Sequence, residues 1–427
     1  MKRIAKMHLA VVMAFLMLMT SVIGAVAYAA ESNVLTVAYY ATMSQAFADI
    51  NAGKWGANSL VQGEGAPVRT SFADGGYVID LQQDYDEPAT VTINTSYPTQ
   101  INFNRYVLRS SNTGLDIISG SVTITAENEG GIIARGTTRA RAAQLRAGTL
   151  TVNGGRYEAY SSAGQACCFL AAGELTIKQA RMHAEDLLEN GKARCVEVKN
   201  TAVLDLEQSI LYAGVQNGVA IAVYAVAGSR STMRNCVVDA YSNYVRNSSA
   251  SSESVSIGVA NYGELDMTGC SVFGTHSGVQ SLGKLSIIGG SFSGYGHGGL
   301  YIANNSNVAY ISRATFSAVM MPAGYTAANT FNDAGMYIGE GNNIRVYMDH
   351  CWVDSGKYPI VLRSSSGETN NALYISNTIL GCSKNLRIDE NSNHHVYVGV
   401  GNQCNLPATD ATETNEDYGT IISENIG

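Results

Sequence analysis

The residues Leu150-Thr151-Val152-Asn153-Gly154-Gly155-Arg156-Tyr157 carry the pattern that decides the fold, and Leu285-Ser286-Ile287-Ile288-Gly289-Gly290-Ser291-Phe292 repeats it. In each copy apolar and polar residues alternate, a small or turn-forming pair follows, and an apolar residue comes two positions later. We take the second apolar residue of a copy as its marker. The markers are Ile117, Val152, Ile177, Leu206, Met233, Met267, Ile287, Ile311, Met348, Ile375 and Val398. Their spacing averages about 28 residues, which is typical of a solenoid with one copy per coil.

Each coil is predicted to contain three short strands. One surrounds the marker, one lies about five residues after it, and one precedes the next marker, as at Cys195-Val196-Glu197-Val198. Because every coil runs in the same direction, these strands should pair in parallel and form three sheets around an apolar interior. The period-2 alternation, with abundant Gly and β-branched residues, excludes helical repeats.

The bend between two sheets is formed by the residues two and three positions after the marker. The residue two after the marker is Gly154, Gln179, Gln208, Asn235, Gly269, Gly289 or Asn377, and a tight bend needs a residue that tolerates positive φ. The next residue is small, and Cys236, Cys270 and Cys351 occupy this place. Consecutive coils put the Cα atoms of Cys236 and Cys270 about 4.8 Å apart, which permits a disulfide. We expect free thiols, because a buried Cys behaves as a small apolar residue.

Residues 1–30 have the features of a secretory signal peptide. Lys2, Arg3 and Lys6 precede an apolar run from Leu9 to Ala27, and Ala27-Tyr28-Ala29 resembles a cleavage site. The alternative is a membrane anchor. No second stretch is apolar enough to span a bilayer, so we expect a chain that is secreted or held at the cell surface. The net charge of −8 gives no indication of nucleic-acid binding.

The two ends of the mature chain are predicted to lie outside the regular coils. Residues 31–75 should form an N-terminal cap with one short helix over residues 45–53, preceded by Ser44 as the capping residue. A first coil exposes unpaired strand edges and an open core, which such a cap would cover. Residues 76–405 form the solenoid, and the acidic residues 406–427 form a loose tail.

The repeated phrase, the predicted capping helix and the Asn/Gly bends resemble the right-handed parallel β-helix proteins of the pectin-lyase-like superfamily. The resemblance implies an all-β, right-handed parallel β-helix of three sheets and about 11–13 coils. It is informative about fold and not about function, because the superfamily contains pectate lyases, polygalacturonases, phage tailspikes and non-catalytic adhesins.

The residue before the marker should face outward and form a column along the solenoid. On the first seven coils this residue is Asp116, Thr151, Thr176, Asp205, Thr232, Asp266 or Ser286. On the last four coils it is Tyr310, Tyr347, Tyr374 or Tyr397. Such a row of rings either binds sugar rings or a protein partner, or stacks on itself and stiffens the last coils.

The segment Val346-Tyr347-Met348-Asp349-His350-Cys351-Trp352 is similar to the W-I-D-H-C phrase of pectate lyases, with Tyr347 where their Trp stands. By this resemblance Asp349 and Asp354 would hold Ca²⁺, and Lys357 or Arg363 would take the proton from C5 of a uronate. The alternative is that Asp349-His350-Cys351 is only the bend of this coil, because Met267-Thr268-Gly269-Cys270 repeats its pattern.

The remaining polar residues do not indicate a catalytic cluster. Asp205 and Glu207 point the same way from one strand without further acids on the neighbouring coils, so a hydrolase pair is not formed. His183, His276 and His297 are interpreted as surface or turn residues. The sequence therefore favours a non-catalytic module that binds a polysaccharide or a cell-surface glycan, or acts as an adhesin, without a cofactor. The alternatives are a Ca²⁺-dependent polysaccharide lyase and a structural spacer.

Overall fold

The computed structural model describes residues 37–422 except 62, 64, 128, 243–254, 296, 306, 320–333, 340, 356–357, 364–369, 382–385, 389–393 and 405–419. The described part consists of one short helix and strands that wind into stacked coils. Three sheets run the length of the molecule, which confirms the predicted all-β parallel β-helix. The predicted signal peptide over residues 1–30 and most of the predicted acidic tail over residues 406–427 lie outside the described residues.

Sheet 1 contains the marker strands and has sixteen strands among the described residues. Its first three strands pair antiparallel, and all later ones pair in parallel. The strands are Val37–Tyr40, Val68–Ala73, Gly76–Leu81, Thr99–Asn104, Ser121–Ala126, Thr149–Asn153, Glu174–Lys178, Val203–Glu207, Arg230–Arg234, Glu264–Thr268, Lys284–Ile288, Val308–Ser312, Arg345–Asp349, Ala372–Ser376, His395–Val398 and Thr420–Ile422.

Sheet 2 follows the bend after each marker strand. Its strands are Tyr85–Glu87, Val107–Ser111, Gly131–Gly136, Arg156–Ser161, Val237–Ser242, Ser271–Gly274, Ser291–Gly294, Thr315–Ala318, Trp352–Asp354, Ile379–Gly381 and Gln403–Cys404. The long strands Arg181–Val198 and Ile210–Ala225 turn the next corner without a break and belong to both sheet 2 and sheet 3. The other strands of sheet 3 are Val91–Asn94, Thr113–Ser119, Arg139–Leu145, Gln165–Ala171, Val255–Asn261, Ser277–Ser281, Leu300–Ile302, Ala334–Ile338, Tyr358–Leu362 and Arg387–Ile388.

The alternation of the sequence explains how the interior is filled. Ten of the eleven predicted markers, from Val152 to Val398, pair in one register. Nine of them belong to a continuous buried apolar core, and Val398 is partly buried against it. The seven predicted bend residues all have positive φ, as do Arg313 and His350 at the same place on two further coils. Repetition of one backbone conformation on successive coils keeps the strands in register.

The prediction for the first coil is wrong. Ile117 lies in sheet 3, where it pairs with Ile93 and Leu145, and the residue in register with Val152 is Ile124. Asp116 therefore belongs to another column than Thr151. The error has a physical cause: Leu115-Asp116-Ile117 and Val122-Thr123-Ile124 alternate identically and both bury their apolar residues. Periodicity alone does not tell which of two successive strands belongs to which sheet.

The cap at the N-terminal end is built around the helix Met43–Asn51. Its apolar face, including Phe47, is buried against the first coil. The N-cap is Thr42, whose side chain accepts a hydrogen bond from the Gln45 amide, and not Ser44 as predicted. Ser44 Oγ donates instead to the buried carboxylate of Glu87 at 2.6 Å, and Glu87 also accepts from the Met43 amide at 3.0 Å.

Six cysteines fall within the described residues with their side chains, and all six are buried and unpaired. They include Cys236, Cys270 and Cys351 in the small-residue place of the bend, as the pattern predicts. The single helix of the described residues is too short to cross a lipid bilayer.

Candidate ligand-binding groove

The tyrosine file consists of Tyr310, Tyr347, Tyr374 and Tyr397, which stand on four successive coils of sheet 1. Each is the residue before a marker, so its side chain points away from the core. Ring centroids are 5.1, 4.7 and 4.5 Å apart along the file, and neighbouring rings are inclined by 11°, 8° and 6°. The rings follow the spacing of the strands, because in-register parallel pairing places identical side chains directly above one another.

The end rings of the file differ from the middle ones. Tyr347 and Tyr374 have tyrosines on both faces, and Tyr397 stacks on Tyr374 and belongs to a strand whose backbone pairs with Thr420–Ile422. Tyr310 stacks only on Tyr347, since its partner on the preceding coil is the small residue Ser286. Tyr310 is accordingly 59% exposed, against 37% for Tyr347. An incoming flat group can therefore pack face to face on Tyr310, and it meets the edges of the other rings.

A groove of about 650 Å³ runs beside the tyrosine file over five coils. It lies between the file and the outward residues one position after the markers, and it ends near Val400. It is lined by Ser286, Ile287, Ile288, Tyr310, Ile311, Ser312, Tyr347, Met348, Asp349, Tyr374, Ile375, Ser376, Tyr397, Gly399 and Val400. Within the part of the chain that the structure describes, the four phenolic hydroxyls have no hydrogen-bond partner. The groove thus combines apolar walls with a regular row of unused polar groups.

Asp349 is the ionised residue of the groove. Its Oδ1 accepts hydrogen bonds from Ser376 Oγ at 2.8 Å and Asn377 Nδ2 at 2.9 Å, and its Oδ2 lies 2.6 Å from His350 Nδ1. The hydrogen bonds from Asn377 and then from His350 lower the pKa of Asp349 to about 2. Its carboxylate therefore carries a full negative charge at neutral and mildly acidic pH.

The residues that the pectate-lyase resemblance suggests are distributed over three sheets. Asp349 ends a strand of sheet 1, Asp354 ends a strand of sheet 2, and Arg363 follows a strand of sheet 3. Arg363 Nη1 donates a hydrogen bond to Tyr337 Oη at 3.2 Å, away from the groove. Lys357 lies outside the described residues. His350 has a φ of 52° and Cys351 is buried, so the Asp349-His350-Cys351 segment forms the bend of its coil.

The described residues contain no cluster of side chains with metal-binding geometry. No group of three or more His, Cys, Asp or Glu side chains converges in the described ranges. Asp205, one of the outward acids, is neutralised by Arg234 at 2.6 Å, and this arginine also lies 3.9 Å from Glu207. These carboxylates therefore serve ion pairs across neighbouring coils.

The three histidines occupy different environments. His183 lies on a strand and packs edge-on against Tyr212 at 4.8 Å, so it is not in a turn. His276 and His297 lie in successive bends, where their rings are 4.4 Å apart. His297 also stacks on Tyr301 at 4.8 Å and Tyr337 at 5.0 Å. These bends are at the junction of sheets 2 and 3, away from the groove on sheet 1.

The sequence indicates the tyrosines and Asp349 as candidate site residues, and it does not indicate the remaining residues of the groove wall. Ser286 matters because it is small enough to leave the Tyr310 face open, and Ile288, Ser376 and Gly399 line the opposite side. Their common signal is the position one after the marker, which alternation places on the same outward surface as the tyrosines. No family model, curated protein or solved structure matches the chain, and the parallel β-helix is therefore the level at which it is classified.

Proposed function

We propose that the protein is an exported, non-catalytic module that binds a linear glycan along the groove beside the tyrosine file. The observation that carries the proposal is the file itself, four outward rings in one register with an open face at Tyr310. A pyranose ring has an apolar face that packs on an aromatic ring, and its hydroxyls need polar partners at regular intervals. The phenolic hydroxyls provide such partners once per coil.

The dimensions of the groove favour an extended chain over a single sugar. Five coils at about 4.8 Å each give a length of roughly 20 Å along the axis. Shallow, aromatic-rich surfaces of this kind gain affinity from several weak contacts in a row. The predicted signal peptide over residues 1–30 supports an extracellular ligand. The pattern of bends supports membership of the pectin-lyase-like superfamily as part of the same proposal.

Binding is tested by retention on insoluble cellulose, xylan, mannan and chitin, followed by titration with soluble oligomers of the polysaccharide that retains the protein. We expect Tyr310→Ala to weaken binding by about tenfold or more, because it removes the ring with the open face. Tyr262→Ala is the matched control, since Tyr262 is exposed but packs on Tyr224 outside the groove.

Equal binding by wild type and Tyr310→Ala would show that the file is only a structural stack, which is the spacer alternative. The lyase alternative is measured in the same preparation by absorbance near 235 nm after incubation with polygalacturonate and Ca²⁺. A rise above background that Asp349→Asn abolishes would replace the binding proposal by catalysis.

A further inference from the structure

The described residues that line the groove carry negative charge and no positive charge. Among the described residues that line it, Asp349 is the single side chain that is ionised at neutral pH, and the rest are tyrosines, serines, glycine and apolar residues. Asp266, another exposed acid, lies one coil before Ser286 in the same column. An anionic ligand in the groove would therefore meet negative charge without a compensating cation from its walls.

One cation on the central strand of the groove is engaged by the backbone. Arg345 stands on the strand of Tyr347 but does not line the groove. Its Nη1 donates to the backbone carbonyls of Ile344 at 3.1 Å and Asn370 at 2.9 Å. Two backbone carbonyls thus hold Nη1 of this guanidinium, which restricts the bidentate pair with which arginine recognises a carboxylate.

Asp349 is held so that it can serve a ligand. A carboxylate has about four acceptor positions, and three of them are used by Ser376, Asn377 and His350. These contacts fix the side chain, which remains 48% exposed. One acceptor position is left for a hydroxyl of a ligand that lies against Tyr347, the neighbour of Asp349 on the same outward face.

We infer that the groove selects neutral glycans with free hydroxyl groups and rejects uronates and sulfated glycans, with Asp349 as the residue that determines this specificity. The inference rests on the proposed function of the groove. A neutral chain donates a hydroxyl hydrogen bond to the ionised carboxylate, and a charge-assisted bond of this kind is stronger than one between neutral groups. A polyuronate places one carboxylate per sugar unit beside the same negative charge.

The test is calorimetric titration of the full mature chain with two sets of hexasaccharides at low ionic strength. The neutral set is cellohexaose, xylohexaose and mannohexaose, and the anionic set is hexagalacturonate and hexaguluronate. We expect at least one neutral ligand to bind at least tenfold more tightly than either anionic ligand. Asp349→Asn should weaken the neutral ligand about tenfold and narrow the difference between the sets. Asp74→Asn is the control, because it removes one charge at a hairpin turn far from the groove, where Asn also tolerates the positive φ.

The possible outcomes distinguish a failure of the specificity proposed for Asp349 from a failure of glycan binding itself. Hexagalacturonate or hexaguluronate that binds as tightly as the best neutral ligand, with Tyr310→Ala abolishing both, would overturn the role of Asp349 and leave glycan binding intact. An unchanged preference in Asp349→Asn would do the same. Failure of every hexasaccharide of both sets to bind the wild-type chain would count against the proposed function itself.

Discussion

Two histidines give the protein a predictable response to acid. Burial lowers the pKa of His276 to about 4, and burial, followed by the charges of His276 and Arg363, lowers that of His297 to about 3. An unfolded histidine titrates near 6.5. Between about pH 6.5 and pH 4 the unfolded chain therefore binds protons that the folded chain does not, and the free energy of unfolding must fall as the pH falls.

We expect each histidine to contribute at most about 1.4 kcal/mol per pH unit to this loss. Urea unfolding measured at pH 7, 6, 5 and 4 checks the slope. In His276→Gln/His297→Gln the slope should be smaller, because neither glutamine titrates. A wild-type stability that stays level or rises from pH 6.5 to pH 4, or an identical slope in the double variant, would contradict the assignment.

The sequence determines some residues of the groove and not others. Outward placement of Tyr310 and its three partners follows from alternation and from the in-register markers, and the sequence predicted both. The partners of Asp349 did not follow, because Ser376 and Asn377 come from the next coil and their contacts depend on side-chain conformations. For the same reason the sequence does not predict the contacts of Glu87. This residue accepts hydrogen bonds from the capping helix, about forty positions earlier in the chain.

At the scale of the element, different tyrosines of the file are expected to dominate its stability and its binding of a ligand. Tyr374 stacks on two rings, at 4.7 and 4.5 Å, whereas Tyr310 stacks on one at 5.1 Å. Each aromatic pair contributes about 0.5–1.5 kcal/mol beyond its buried area. Tyr374→Ala is therefore expected to destabilise the last coils by about 1–3 kcal/mol, roughly twice the effect of Tyr310→Ala.

Amide hydrogen exchange in the strands from Val308 to Val398 measures this difference locally, since a solenoid need not unfold as one unit. Binding should follow the opposite order, with Tyr310→Ala losing more affinity than Tyr374→Ala. If Tyr374→Ala lost more of both stability and affinity than Tyr310→Ala, the loss of binding would result from damage to the stack. The open face of Tyr310 would then have no separate role in binding.

The assignment of strands to sheets can be predicted from the sequence for the later coils and not for the first. The markers from Val152 to Ile375 keep their register because a bend residue with positive φ recurs two positions after each of them, whereas after Val398 the positive φ is at Gly401. The first coil has Ala126 two positions after Ile124 and lacks that bend residue, so alternation alone does not distinguish its strand from the earlier one at Leu115-Asp116-Ile117. The later coils are predictable because the alternation and the bend residue occur together.

At the scale of the whole molecule, the solenoid converts a short repeated phrase into continuous surfaces. Each outward position becomes a column, and the character of a column changes wherever the sequence changes it. Along the column before the markers, Thr and Asp give way to Ser286 and then to four tyrosines. The face of Tyr310 is uncovered because this change occurs between one coil and the next.

Glycan binding along the tyrosine file can be tested directly by tyrosine nitration followed by peptide mapping, performed with and without a saturating oligosaccharide of the polysaccharide that retains the protein. We expect the ligand to protect Tyr310 most strongly, to protect the edges of Tyr347, Tyr374 and Tyr397 to a smaller degree, and to leave the exposed Tyr262 unchanged. If the ligand remains bound while Tyr310 is nitrated as fast as in the free protein, the glycan does not lie on the tyrosine file and the proposed binding surface is wrong.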